Sequence, residues 1–211
     1  NIHRPKRPSS TWVRVTALGS YREVGRACHL VTTNESRVMI DVGVNIASDT
    51  DPMPYFTAPE ALPLEKLDAV VLTHSHLDHA GMLPVLFKYG YRGPVYCTPP
   101  TRDLMLLLQT DYIKVGGAEG KRPAYDMEDI RMCMKHVVDV DWGETTDITP
   151  DVKLTFSNAG HILGSSAVHL HIADGKHNIV FSGDQKYEKS WLFDAANTRF
   201  PKVETLVIES T

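Results

Sequence analysis

A layered α/β fold, with helices packed on sheet faces, is what this sequence predicts. Short runs rich in β-branched and aromatic residues recur along the chain, which is the signature of strands. Strand-like runs come first and are then interleaved with segments of helical spacing. The acidic and histidine residues able to do chemistry fall where strands end.

The first strand-like runs are "WVRVTAL" (12–18), "CHLVTT" (28–33), "RVMIDVG" (37–43) and "AVVLTH" (69–74). A helix is expected over 78–89, followed by a strand at "GPVYCT" (93–98). Helical spacing returns over 101–115, "TRDLMLLLQTDYIKV", with Thr101 as N-cap, and over 125–137, "YDMEDIRMCMKHV". Four more strands are expected, at "VKLTFSN" (152–158), "AVHLHIA" (167–173), "HNIVFSGD" (177–184) and "TLVIES" (205–210). The last of these reads as a largely buried strand that delivers an acid at its end.

The 211 residues suit one domain with a sizeable core, or part of a larger one. A net charge of -4 gives no global attraction to nucleic acid or anionic membrane, so any such binding must come from a local patch or a metal. The one basic cluster is the leading "HRPKRPSS", with Arg4, Lys6 and Arg7 among prolines. It reads as a linker arm over residues 1–10, with one domain over 11–211. Cys28, Cys97 and Cys133 are odd in number and widely spaced, as expected of reduced thiols in a cytoplasmic protein. No apolar run approaches the roughly 18 residues of a membrane span, and no signal peptide is visible. The chain lacks an initiating Met and stops after "TLVIEST", so both ends read as cut from something longer.

The stretch "VVLTHSHLDHAGMLP" (70–84) places His74, His76, Asp78 and His79 directly after an apolar strand. Crowding three imidazoles and a carboxylate is costly unless a cation sits among them. His74 and His76, two apart, project to one side of an extended chain. Asp78 and His79 lie where the chain turns into a helix and can present a second set of ligands. Two sets suggest two metal ions, the arrangement used to hydrolyse phosphodiesters. Histidine with carboxylate, and no cysteine nearby, favours zinc in a catalytic role. Asp41, His161, Asp184 and Glu209 end four further strands, and strand-end loops gather along one sheet edge. His29, His136 and His177 are expected to be surface or hydrogen-bonded core residues. His169 and His171 share one face of their strand, opposite Val168, Leu170 and Ile172, and are explained by a polar sheet face.

These residues resemble the metallo-β-lactamase fold. "THSHLDH" matches its HxHxDH signature, Asp41 its first motif, "AGHILGS" with His161 its third and "SGD" with Asp184 its fourth. Within that superfamily, "GSYREVGRACHLV", "CTPPTRDLM" and "LVIEST" resemble the β-CASP nucleases, with Glu209 as the acid of motif A. The chain is most similar to archaeal homologues of the nuclease subunit of the cleavage and polyadenylation specificity factor. The resemblance implies an αββα four-layer sandwich, of which this chain is the N-terminal portion, ending at motif A. It implies that His74, His76 and His161 hold one zinc, that Asp78 and His79 hold a second, and that Asp184 bridges both. Asp41 would orient the cluster. Asp78, Asp184 and Glu209 would be catalytic, with Glu209 and a motif B histidine managing the proton at the leaving oxygen.

The function so implied is a zinc-dependent endoribonuclease, with 5′–3′ exonuclease action left open. It would cleave single-stranded RNA in 3′-end processing or transcription termination. The parent is expected to be a cytoplasmic homodimer with no membrane partner. The β-CASP insertion with motif B, and the returning segment with the motif C histidine, are not in these 211 residues, so the fragment is expected to be inactive. A hydrolase of thioesters, lactams or small esters, and a non-catalytic scaffold, remain the alternatives on the metal motifs alone.

Overall fold

The computed structural model describes residues 11–210, and the basic arm over 1–10 lies outside them. The first sheet runs in the order β1 (Val13–Gly19), β2 (Cys28–Thr33), β3 (Arg37–Ile40), β4 (Ala69–Val71), β5 (Val95–Cys97) and β6 (Val137–Asp139). β1 to β3 form an antiparallel meander, and β3 to β6 are parallel. The second sheet comprises β7 (Thr145–Thr149), β8 (Val152–Asn158), β9 (Ser166–Ile172), β10 (His177–Phe181) and β11 (Thr205–Val207), in the order β11-β10-β9-β8-β7. It is antiparallel except where β11 joins β10.

Alternation along the strands of the first sheet sorts side chains into two cores. Leu30, Met39, Val70 and Leu72 face one way and pack with Leu83, Leu86, Met105 and Ile130 of the helices. Val31, Val38, Ile40 and Val71 face the other way, against Phe156, Val168, Leu170, Ile172 and Phe181 of the second sheet. A sheet covered on both faces has no solvated side, which is why β4 and β5 read as continuous apolar runs. The described residues therefore stack as helices, sheet and sheet, three of the four layers that the resemblance implies. Among them, no helix is long and apolar enough to cross a membrane. Cys28, Cys97 and Cys133 are free and buried.

The helix expected over 78–89 is two, α1 (Leu77–Ala80) and α2 (Leu83–Lys88). Pro84 has no N–H to offer the carbonyl of Ala80, so the α-helical ladder cannot pass. That carbonyl accepts instead from Nε2 of the buried Gln109, at 2.8 Å. Gln109 lies on α3 (Pro99–Ala118), which starts earlier than expected: Thr98, not Thr101, is its N-cap, and prolines occupy the first helical positions. The Thr98 and Thr101 hydroxyls both donate to the Gly164 carbonyl, at 2.7 and 3.2 Å, tying this helix start to the loop that carries His161.

The third helical segment is shorter than expected, α4 (Met127–Met134), started by a capping box between Asp126 and Asp129. Val137 leaves it for β6, which pairs with β5. The expectation that "TLVIES" is largely buried is corrected. Among the described residues β11 is an edge strand paired only with β10, and Leu206 and Ile208 are each 54% exposed on the outer side. Only Val207 packs inward.

Replacement of Phe156, buried between the sheets, by Ala is expected to lower the unfolding free energy by about 3–5 kcal/mol. Leu206→Ala on the outer face should cost about 0.5 kcal/mol or less. Urea unfolding followed by circular dichroism checks both. Equal losses would mean that the outer face is packed.

Candidate metal centre

Five strand ends meet at one edge of the two sheets. Asp41 follows β3, residues 73–79 follow β4, His161 follows β8, Asp184 follows β10 and Glu209 follows β11. Thr73 is the hub: its backbone N–H and its hydroxyl both donate to the Asp41 carboxylate, each at 2.8 Å. Asp41 itself sits at φ 58°, a left-handed conformation that costs about 1–2 kcal/mol in a residue with a Cβ. Its three side-chain partners (the third is His79) hold it there.

The short helix α1 is stapled in place by backbone bonds. Val42 and Val44 donate to the carbonyls of His79 and Leu77, and Ala27 donates to that of Asp78. Gly43 permits this approach, since a Cβ there would stand 1.6 Å from the Asp78 carbonyl oxygen. Gly183, at φ 55°, does the same beside Thr73, where a Cβ would come within 2.7 Å of that side chain. Beyond Asp184 the chain folds back onto the end of β8. Lys186 donates to the Ala159 carbonyl and Asn197 to that of Asn158, locking the Asp184 and His161 loops together.

Two groups of potential ligand atoms result. In the first, His74, His76, His161 and Asp184 each offer one atom, all within 4.8 Å of one another. His74 Nε2 lies 3.1 Å from His76 Nδ1, and His161 Nε2 lies 3.3 Å from the same atom. Asp184 Oδ2 is 3.5 Å from His161 Nε2 and 3.8 Å from His74 Nε2. Ligand atoms bound tetrahedrally to zinc stand about 3.4 Å apart, so this donor set fits such an ion. The second group is Asp78, His79 and Asp184. Here the other carboxylate oxygen, Asp184 Oδ1, lies 3.2 Å from His79 Nε2, and Asp78 Oδ2 lies 3.7 Å from that nitrogen. One carboxylate therefore turns one oxygen to each group.

The electrostatics of the two groups differ. Burial drives the His74 pKa well below its ordinary value, so this imidazole is a neutral donor with a lone pair to give. Burial also opposes a charge on His79, but Asp41 and Asp184 outweigh it and raise the pKa to about 10. Burial likewise opposes ionisation of Asp184, yet His79 and the neighbouring histidines hold its pKa below the usual carboxylate value. A cation at the second group would meet Asp184, one of the two carboxylates that raise the His79 pKa. His79 Nδ1 faces Asp41 Oδ2 at 2.8 Å, so the imidazole donates there and leaves Nε2 facing the ligand group.

Glu209 reaches this edge but belongs to neither ligand group. One of its carboxylate oxygens accepts the Gln185 backbone N–H at 2.5 Å, and its own N–H donates to Ser182 Oγ. Together with Asp41, Asp78, His79 and Asp184 it lines a cleft of about 540 Å³, whose far wall is the turn 20–25. That turn is tightly wound, with Ser20, Arg22 and Arg26 at φ 66°, 61° and 45°. The sequence reading passed over it except as part of a motif, although its EVGR core next to a strand was a visible signal. His29 also lines the cleft, with its Nδ1 3.0 Å from the Tyr21 hydroxyl. His136 Nδ1 bonds the Met132 carbonyl, and His177 bonds Thr205. His169 and His171 stack with ring centroids 3.9 Å apart, away from the metal groups and on the strand face opposite Val168, Leu170 and Ile172, but that face is not simply polar, since His169 is buried with its ring edge-on to Phe200.

Residues 21–210 match the family model described as the metallo-beta-lactamase superfamily. Transcription termination factor FttA of Methanosarcina mazei is 58% identical over 210 residues, which cover all of this chain and 33% of that protein. Its namesakes in Methanothermobacter thermautotrophicus and Lokiarchaeum sp. are 52% and 49% identical, again over the whole of this chain and 33% of theirs. The chain thus spans about a third of the length of these relatives. Among solved structures, the metallo-beta-lactamase fold protein YhfI from Bacillus subtilis aligns with TM-score 0.53 at 18% identity, over 84% of this chain and 64% of that one. A metallo-beta-lactamase from Cronobacter sakazakii aligns with TM-score 0.54 at 20% identity, over 82% and 64%. At such identities the likeness is one of fold.

Replacing Asp41 by Asn removes the carboxylate that orients His79. Affinity for an ion at Asp78, His79 and Asp184 should fall about 10–100-fold. The group built on His74, His76 and His161 should be much less affected. Zinc titration against a competing chelator resolves the two steps, and an unchanged weaker step would contradict this role for Asp41.

Proposed function

Since the chain belongs to the metallo-β-lactamase superfamily, we propose that it carries the metal-binding half of a two-zinc ribonuclease acting on single-stranded RNA in transcription termination. The observation that carries the reading is the split carboxylate of Asp184, one oxygen toward His74 and His161, the other toward His79. A carboxylate so placed between two donor sets is suited to bridge two cations. The name of the relatives, transcription termination factor, favours a nucleic-acid substrate over a thioester or lactam. The β-CASP resemblance of the "EVGRAC", "CTPPTRDLM" and "LVIEST" segments points the same way.

In this reading His74, His76 and His161 would hold the first zinc, Asp78 and His79 the second, and Asp184 both. When bound, such a pair of ions acidifies water and neutralises the charge that develops on a phosphodiester under attack. The chain's own residues do the rest. Asp41 and Thr73 fix the tilt and tautomer of His79, so that Nε2 points at Asp184 and Asp78. Glu209, anchored by the Gln185 N–H at the cleft wall, would hold and pass a proton at the leaving oxygen. The histidine partner for that proton would come from the longer protein, as would the lid over the RNA.

The test uses a full-length protein carrying this segment. Asp184→Asn should lower the rate of single-stranded RNA cleavage at least about 1,000-fold without unfolding the domain, because the electrostatic clamp on the phosphate is lost. Glu209→Gln should also slow cleavage, but with zinc content unchanged. Full activity in Asp184→Asn would remove the two-ion reading. Zinc loss in Glu209→Gln would make that residue a ligand.

A further inference from the structure

The cleft beside Asp78, His79 and Asp184 has an unusual charge distribution. Asp41, Asp78, Asp184 and Glu209 all line it, and of its lining residues Arg22 is the one lysine or arginine. The Arg22 side chain is exposed and has no hydrogen bond or ion pair among the described residues. Its neighbour Arg26 is the opposite case. Arg26 is buried and bound to Glu23 at 2.7 Å and Asp51 at 2.7 Å, with its guanidinium 4.5 Å from the centre of the Tyr55 ring. One arginine of this turn is thus consumed by the structure, and the other is presented.

The backbone on either side of Arg22 is anchored. Glu23 accepts the Ser20 N–H while gripping Arg26, and the Tyr21 hydroxyl meets His29. Arg22 sits between these two anchored residues, in a left-handed conformation that its side chain disfavours. Unfavourable backbone geometry held by an over-determined turn is the condition in which strain points to function. A guanidinium without a partner at the wall of an acid-lined cleft is the complement of an anion that approaches the metal groups from outside. Val24, Phe181, Val207 and Ile208 give the same cleft apolar walls that suit a sugar or base.

We infer that Arg22 is the phosphate-gripping residue of this cleft, holding a backbone phosphate of single-stranded RNA adjacent to the one lying at Asp78, His79 and Asp184. This rests on the ribonuclease reading and adds to it a contact from the turn 20–25. A guanidinium binds phosphate through paired N–H donors, and with the backbone of the turn already anchored only the side chain has freedom to lose on binding. Such a contact positions the strand without reading its sequence.

The experiment measures equilibrium binding of a fluorescent ten-nucleotide oligouridylate with phosphorothioate linkages to a zinc-loaded full-length protein carrying this segment, by anisotropy, between 50 and 200 mM salt. Arg22→Ala should weaken binding about tenfold. It should also lower the slope of log affinity against log salt by about 0.7, the value for one lost phosphate contact on a single strand. Arg22→Lys should keep the slope while losing part of the affinity, since the charge remains but the paired donors do not. Lys153→Ala, which removes the same charge from the ion pair with Asp147 between β7 and β8, should leave the slope unchanged. Zinc content and unfolding midpoint should match wild type in all variants. Wild-type RNA binding with an unchanged slope in Arg22→Ala overturns the role of Arg22 alone. No RNA binding by the wild type overturns the ribonuclease reading, and this inference with it.

Discussion

Lone-pair atoms of four histidines and two aspartates are gathered at one sheet edge in two overlapping groups, each compact enough for its members to share one cation. The rest of the molecule can be read as the means of holding them there. Three imidazole nitrogens stand at the separations of a tetrahedral ligand set, and the Asp184 carboxylate closes that set while reaching into the next. At His79, Asp41 and Asp184 outweigh burial and raise the pKa to about 10.

That crowding is held by backbone as much as by side chains. Asp41 takes a left-handed conformation so that its carboxylate can receive both Thr73 donors and His79. Gly43 lets α1 press against the chain leaving β3, and Gly183 lets the end of β10 pass Thr73. Pro84 ends α1 just after its two ligand residues, and Gln109 satisfies the carbonyl that Pro84 abandons. Gln109 belongs to the helix whose start is tied to the His161 loop, so the placement of α1 and that of the third histidine are mechanically linked.

Much of this was legible in the sequence, because metal ligands must be polar and strand cores must not. The change from "AVVLT" to "HSHLDH" marks the point where a buried strand reaches a sheet edge, and the histidines and aspartates so marked do converge. Local pattern failed where tertiary context decides. The two-helix break at Pro84 looked like one helix because the apolar spacing runs through it. β6 and β7 escaped notice because strands such as "VVD" and "TTDIT" carry too little alternation. The residues of β11 are apolar and read as buried, but among the described residues nothing packs over the face that carries Leu206 and Ile208. Arg22 was invisible as a separate residue: its meaning depends on Arg26 beside it being spent on Glu23 and Asp51, which only the folded chain reveals.

The central claim, that Asp184 stands between two cation sites, is tested most directly by anomalous diffraction at the zinc edge, on crystals of this chain grown with excess zinc. Two peaks about 3.5–4 Å apart are predicted, one among His74, His76 and His161 and one against Asp78 and His79, with Asp184 touching both. A single peak at full zinc saturation, or zinc held without Asp184, would contradict it.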